Sequence, residues 1–265
     1  MGINHIRSIF EQTKRDNRAA LMPYFTLGYP NPTLSFEMIC GIAENGADLI
    51  ELGIPFSDPL ADGPTIQHST QIALEQGMNV EKGLLLTGEL RRAGVKQPLL
   101  LMGYVNPILS YGIDNYVRDA ADCGADGFIV PDLPIQEAGE MLAACKASQL
   151  ALIAMLAPNS TGTRIQLTIK HAQGFLYLVS LTGVTGVRDS LADDLFRFIE
   201  RVRQVSTLPL AVGFGISTPD QAHTVAKVAD GVIIGSALIR AANSGGIHAV
   251  TGLIKQFRQA MERNI

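Results

Sequence analysis

Eight short, nearly continuous apolar runs set the tightest limit on what this chain can fold into. They are Leu21–Leu27, Asp48–Leu52, Pro98–Gly103, Gly127–Val130, Leu150–Leu156, Phe175–Ser180, Leu208–Val212 and Gly231–Ile234. A strand that is apolar along its length, with no polar alternation, must be covered on both faces, as in a parallel sheet wrapped by helices. Helical patterning fills the gaps, over Thr33–Asn45, Thr65–Gln76, Val80–Ala93, Ile113–Cys123, Ile135–Ala147, Gly162–His171, Asp189–Val205, Pro219–Val228, a short Ala237–Ala242 and Ile247–Glu262. Eight strands each followed by helix predict a closed (β/α)8 TIM barrel, with residues 1–265 forming one domain. Ahead of the first strand, Ile3, Ile6, Ile9 and Phe10 fall at helical spacing, so an extra N-terminal helix is expected to plug or cap the barrel. Gly46-Ala-Asp48, Gly124-Ala-Asp126 and the near copy Val228-Ala-Asp230 punctuate helix-to-strand junctions and mark no domain boundary. An open doubly wound sheet is the competing architecture, but it calls for a glycine-rich fingerprint after the first strand, and Leu27-Gly-Tyr-Pro-Asn-Pro32 has none.

Charge and cysteine content narrow the function classes. The net charge of −4, with lysines and arginines scattered, offers no basic face for nucleic acid. Cys40, Cys123 and Cys145 are far apart and odd in number, which reads as reduced core thiols in a cytoplasmic protein. The stretch from Met1 to Arg18 is charged throughout, unlike a signal peptide, and no run reaches the roughly 18 apolar residues of a membrane span.

In a barrel of this kind the site is built where the strands end at their C-terminal side. The second strand ends in Glu51-Leu-Gly-Ile-Pro-Phe-Ser-Asp-Pro-Leu-Ala-Asp-Gly-Pro-Thr65, a proline-stiffened loop that carries three carboxylates. A buried strand-end acid such as Glu51 is costly to desolvate unless it is paired or used, so it is either a site residue or the cap or ion partner of a neighbour. Asp62 alone is a weaker candidate, since loop aspartates commonly brace turns, and Asp132 in Val130-Pro-Asp-Leu-Pro134 reads as such a brace. Glycines in Thr182-Gly-Val-Thr-Gly186, Gly213-Phe-Gly-Ile-Ser217 and Gly235-Ser236 follow the sixth, seventh and eighth strands, where barrels commonly hold a phosphate on backbone N–H groups and a helix N-terminus. Tyr104, Asn106 and Tyr177 could wall an aromatic ligand or simply fill the rim. None of the seven lysines lies at a strand end, which leaves Schiff-base chemistry without a nucleophile. The five histidines lack ligand spacing, so no metal site is predicted, and only His68, just past the acidic loop, is near enough to matter. These residues describe a barrel that binds a phosphorylated compound and acts on it by carboxylate acid–base chemistry. A sugar-phosphate isomerase or epimerase, or a subunit that only carries ligand, would share much of this scaffold.

Six motifs, in order from the first strand to the eighth, resemble the tryptophan synthase alpha chain family. They are Pro23-Tyr-Phe-Thr-Leu-Gly28, Glu51 through Gln67, Gly103-Tyr-Val-Asn-Pro107, Ser180-Leu-Thr-Gly-Val-Thr-Gly186, Gly213-Phe-Gly-Ile-Ser217 and Gly235-Ser236. Leu181 stands where some members carry a basic residue, and Tyr24 where some carry Phe. The resemblance implies retro-aldol cleavage of indole-3-glycerol phosphate to indole and glyceraldehyde 3-phosphate in tryptophan biosynthesis. It implies Glu51 as the acid–base residue and Asp62 as the anion facing the indole nitrogen. Tyr24, Ile129, Tyr177 and Phe214 would line the indole, and Thr185, Gly186, Gly215, Gly235 and Ser236 would surround the phosphate end. The loop Thr182 to Leu191 resembles the family's lid. Asp58, Pro59, Asn106 and Pro107 would face a beta chain in an alpha2beta2 heterotetramer. Pyridoxal phosphate belongs to that beta chain, and this chain would need no cofactor of its own.

Overall fold

In a computed structural model, which describes residues 2–180, 188–213 and 215–262 except for the side chains of 188–193, the apolar runs pair in chain order into a closed parallel barrel. Its strands are β1 (Ala20–Thr26), β2 (Ile50–Gly53), β3 (Leu99–Met102), β4 (Gly127–Ile129), β5 (Ala151–Leu156), β6 (Leu176–Val179), β7 (Leu210–Gly213) and β8 (Gly231–Ile234), and β8 closes against β1. Residues alternate between two cores. In β1, Ala20, Met22 and Tyr24 belong to the barrel interior, whereas Leu21 and Phe25 pack in the layer under the helices. All seven β1 residues are buried, as its unbroken apolar run requires.

The N-terminal helix α1 (Ile3–Arg15) closes the bottom of the barrel. Ile6 and Phe10 enter the interior cluster, and the Phe10 ring lies 5.4 Å from that of Phe175. The covering helices are α2 (Pro32–Glu44), α3 (Pro64–Glu75), α4 (Val80–Arg92), α5 (Val105–Tyr111), α6 (Ile113–Asp122), α7 (Gly139–Ala147), α8 (Gly162–His171), α9 (Arg188–Arg203), α10 (Pro219–Ala226) and α11 (Ser236–Ala260). Several begin on side-chain caps that satisfy first-turn N–H groups: Asn31 accepts from Leu34, Asn79 from Lys82, and Thr218 with Gln221 forms a capping box.

The Gly-Ala-Asp punctuation has a structural cause. Asp48, Asp126 and Asp230 each precede an even-numbered strand and accept the backbone N–H of the strand before it, from Leu21 at 2.8 Å, Leu99 at 3.0 Å and Leu210 at 2.8 Å. Gln173 does the same for Leu152 ahead of β6, at 3.2 Å. Each aspartate also takes an arginine: Arg18 and Arg258 meet Asp48, Arg91 meets Asp126 and Arg203 meets Asp230. The acids therefore stitch strand pairs together at the bottom face, away from the strand ends that carry chemistry. For this reason Asp48, expected inside the second strand, lies outside it.

Two further expectations are corrected. The loop after β3 contains helix α5, too short for periodicity to reveal. The helix expected from Ile135 begins at Gly139, because Pro134 and Ile135 open turns in which Glu137 and Ala138 donate back to their carbonyls. The two helices expected over Ala237–Ala242 and Ile247–Glu262 are both present, end to end along α11, parted by the non-helical backbone of Gly245 and Gly246.

Candidate active site

Strand register places Glu51 beside Tyr24 at the upper end of the barrel interior. With Met102 of β3, Tyr177 of β6 and Ile233 of β8 they form the floor and walls of a cavity of about 330 Å³, over which the β2–α3 loop brings Asp62. Glu51 is 1% exposed, and neither of its carboxylate oxygens has a hydrogen-bond partner among the described residues. Burial penalises the charged form, so its pKa rises from 4.5 to about 8. Burial also raises Asp62, from 3.8 to about 6, and the nearby Tyr104 hydroxyl opposes that rise by favouring the carboxylate. One cavity thus holds an acid that is protonated near neutral pH and a second that is ionised, a pairing suited to proton transfer beside a developing positive charge.

Glycines make room for the aromatic walls. A Cβ at Gly53 would fall 2.1 Å from the Tyr24 hydroxyl, and one at Gly213 would fall 2.2 Å from the Tyr177 hydroxyl. These strand-end glycines let both phenols stand upright in a barrel too narrow for a methyl group beside them. The Tyr24 hydroxyl lies 3.3 Å from that of Thr26, which in turn is 2.7 Å from Ser69 of α3, tying the wall to the helix that follows the acidic loop.

The other end of the cavity is suited to an anion. Gly235 caps α11, Ser236 begins it, and Gly215 and Ser180 stand alongside. The first N–H groups of a helix have no intrahelical acceptor and sit at the positive end of its dipole. Arg240 lines the same cavity and has no carboxylate partner among the described residues.

Of the residues expected at the site, Tyr24, Glu51, Asp62, Tyr177, Gly215, Gly235 and Ser236 meet in this one cavity. Ile129 does not line it; it is fully buried in the interior cluster, paired in register with Met102. Thr185, Gly186 and Phe214 lie outside the described residues, as do Leu181 and the first part of the loop expected as a lid. Asp132 is a brace: its carboxylate accepts the Val105 N–H at 3.0 and 3.2 Å and so holds the start of α5. His68 is exposed on α3 and is not part of the cavity wall. Asp58 and Asn106 are exposed and Pro59 and Pro107 half-buried. Sequence reasoning missed Arg240, Met102 and Ile233. For Arg240 the available signal was its place one helical turn beyond Ser236, on the face that Ser236 presents; for the two apolar residues there was none beyond core patterning.

Comparison with known proteins identifies the family. Residues 10–264 match the model of the family described as tryptophan synthase alpha chain. The tryptophan synthase alpha chain of Chloroflexus aggregans is 48% identical, over 98% of this chain and 99% of that relative. The structure of Mycobacterium tuberculosis tryptophan synthase includes a chain superposing with a TM-score of 0.91 at 37% identity, covering 98% of each. The tryptophan synthase subunit alpha of Legionella pneumophila superposes with a TM-score of 0.90 at 36% identity, covering 97% of this chain and 98% of that one. The chain belongs to the tryptophan synthase alpha chain family, a lyase of tryptophan biosynthesis that cleaves indole-3-glycerol phosphate.

Proposed function

We propose that Glu51 and Asp62 divide the work of this cleavage, and that residues 1–265 act as one domain in doing it. The observation that carries the reading is Glu51 itself, a fully buried carboxyl whose two oxygens have no protein partner among the described residues and face a ligand-sized cavity. A structural acid would be paired. Breaking the carbon–carbon bond requires a proton on indole C3 and removal of one from the glycerol hydroxyl. Glu51, protonated near neutral pH, donates the first; its carboxylate then accepts the second, which returns it to its starting state. Positive charge develops on the indole nitrogen as C3 gains its proton, and the Asp62 carboxylate across the cavity stabilises it. Tyr24 and Tyr177 sandwich the indole, and Gly215, Gly235, Ser236 and Arg240 receive the phosphate. Ile129 supports the pocket from beneath.

The family works with a beta chain. We place the contact on the exposed face carrying Asp58, Pro59, Asn106 and Pro107, in an alpha2beta2 assembly of the cytoplasm. Leu60, 90% exposed, and Leu109, 55% exposed, add apolar surface to the same two loops. Pyridoxal phosphate is the beta chain's cofactor, and this chain works with none.

Two experiments test these roles. In the presence of a beta chain, kcat/KM for indole release should follow a bell-shaped pH dependence. It rises as Asp62 ionises near about 6 and falls as Glu51 loses its proton near about 8. A profile with no fall on the alkaline side would remove Glu51 as the acid. Arg240→Gln should raise KM for indole-3-glycerol phosphate about tenfold while leaving kcat within about twofold, the loss of one charge-assisted contact to a phosphate. An unchanged KM would place the phosphate elsewhere.

A further inference from the structure

Three hydroxyls run in a chain from the aromatic wall of the cavity into α3. Tyr24 lines the cavity, whereas Thr26 and Ser69 are fully buried and do not line it. The Tyr24 and Thr26 oxygens are 3.3 Å apart, those of Thr26 and Ser69 are 2.7 Å apart, and Ser69 donates to the Ile66 carbonyl at 2.8 Å. A hydroxyl has one proton to donate. Because the proton of Ser69 is committed to Ile66, all three contacts are made only if Thr26 donates to Ser69 and Tyr24 donates to Thr26. The chain therefore has one direction, and it ends in the first turn of α3 on Ile66, which lines the same cavity as Tyr24.

We propose that this chain makes Tyr24 a specificity-determining residue: it pins the phenol so that the slot for the indole keeps one width, and an indole enlarged by a ring methyl group is rejected. The proposal rests on the reading of Tyr24 as a wall of the indole site. Backbone already blocks the ring at two points. A Cβ at Gly235 would fall 3.2 Å from its Cδ1, and one at Gly53 would fall 2.1 Å from its hydroxyl. The open direction is the cavity, and a swing into it would pull the phenol away from Thr26. A wall held at both ends cannot adapt to a larger guest, whereas one released at its outer end can.

The chain can be cut at two places. Tyr24→Phe keeps the ring and removes the first donor. Thr26→Val keeps the shape of a buried side chain that does not line the cavity and removes the middle hydroxyl. Thr26→Ser keeps that hydroxyl and removes only a methyl group.

The test compares kcat/KM for indole-3-glycerol phosphate with that for analogues methylated singly on the benzene ring, each variant assembled with a beta chain. The natural complex should prefer the unsubstituted substrate by at least about tenfold over the analogue it rejects most. Tyr24→Phe and Thr26→Val should each lower that preference at least about threefold, through KM more than kcat. The double variant should lower it no further than Tyr24→Phe alone, because both changes break one chain. Thr26→Ser should keep the natural preference. Tyr24→Ala, which removes the wall, should raise KM for the unsubstituted substrate about tenfold. If Tyr24→Phe and Thr26→Val change both substrates by the same factor, or if the natural complex does not distinguish them, the chain is only structural and the proposal is overturned. Relaxed preference in Tyr24→Phe with natural preference in Thr26→Val would also overturn it, since the phenol would then act without the chain. An unchanged KM in Tyr24→Ala would instead remove Tyr24 from the indole site, and the proposal would fall with that reading.

Discussion

Glu51→Gln is expected to slow indole formation by about 2 to 4 decades in the presence of a beta chain, the usual contribution of a positioned general acid–base group. The amide matches the carboxyl in shape and can neither give the proton to C3 nor take the hydroxyl proton. Binding should change little, so the loss appears in kcat. The same substitution should make the protein more stable at alkaline pH, and the sign follows from linkage. The folded chain holds the Glu51 proton up to about 8, whereas the unfolded chain releases it near the ordinary 4.5. Between these values the unfolded state binds fewer protons, so stability falls as pH rises, by up to about 1.4 kcal/mol per pH unit, and levels off above about 8. Glutamine removes that slope. Denaturant melts at pH 5 and pH 8.5 should show natural and Gln forms alike at the lower pH and the Gln form several kcal/mol more stable at the higher one. A catalytic acid kept at the expense of stability is the pattern expected of a functional site.

Asp126→Ala should have the largest effect on stability, about 3 to 5 kcal/mol, out of a total that rarely exceeds about 15 for a domain. The carboxylate is fully buried and accepts from Gly2 N–H at 2.6 Å, His5 Nδ1 at 2.9 Å, Leu99 N–H at 3.0 Å and Arg91. Burial alone would raise its pKa, but the hydrogen bonds from His5 and Leu99 and the charge of Arg91 hold it below the ordinary value. Its removal strands the Arg91 charge, frees the N-terminal plug helix and leaves a strand N–H unsatisfied. Urea unfolding measures the loss directly; a change below about 1 kcal/mol would mean that these contacts are replaced by water. At temperatures where the variant stays folded, kcat/KM should be unchanged, because the whole cluster lies at the opposite end of the barrel from Glu51.

The barrel was legible because unbroken apolar strands admit few architectures. Leu21 to Leu27 cannot face water on either side, and eight such runs separated by helices close on themselves. Glu51 was legible because a carboxyl in such a run is an anomaly that needs a reason. The bottom-face aspartates were visible as a repeated phrase, but their work was not. Asp48 reads as strand from its neighbours Leu49 and Ile50, and only the fold brings Arg258, 210 residues away, to its side chain. Asp62 carried little signal of its own, since its use depends on the height at which the loop crosses the cavity. Arg240 lies in a helical stretch with no adjacent motif residue to mark it, and only the fold turns the first turns of α11 toward the same space as Glu51. Residues that act through contacts distant in sequence, such as Tyr104 on the Ala61 N–H, leave no periodicity to read.

The account depends most on a Glu51 carboxyl that keeps its proton at neutral pH. Infrared difference spectra between the natural chain and Glu51→Gln, recorded across pH 4 to 10, isolate the protonated carboxyl band of this one side chain. The predicted result is a band that persists at pH 7 and disappears with a midpoint near about 8. A band already lost by about pH 5, in the ordinary carboxylate range, would contradict it and leave the cavity without its acid.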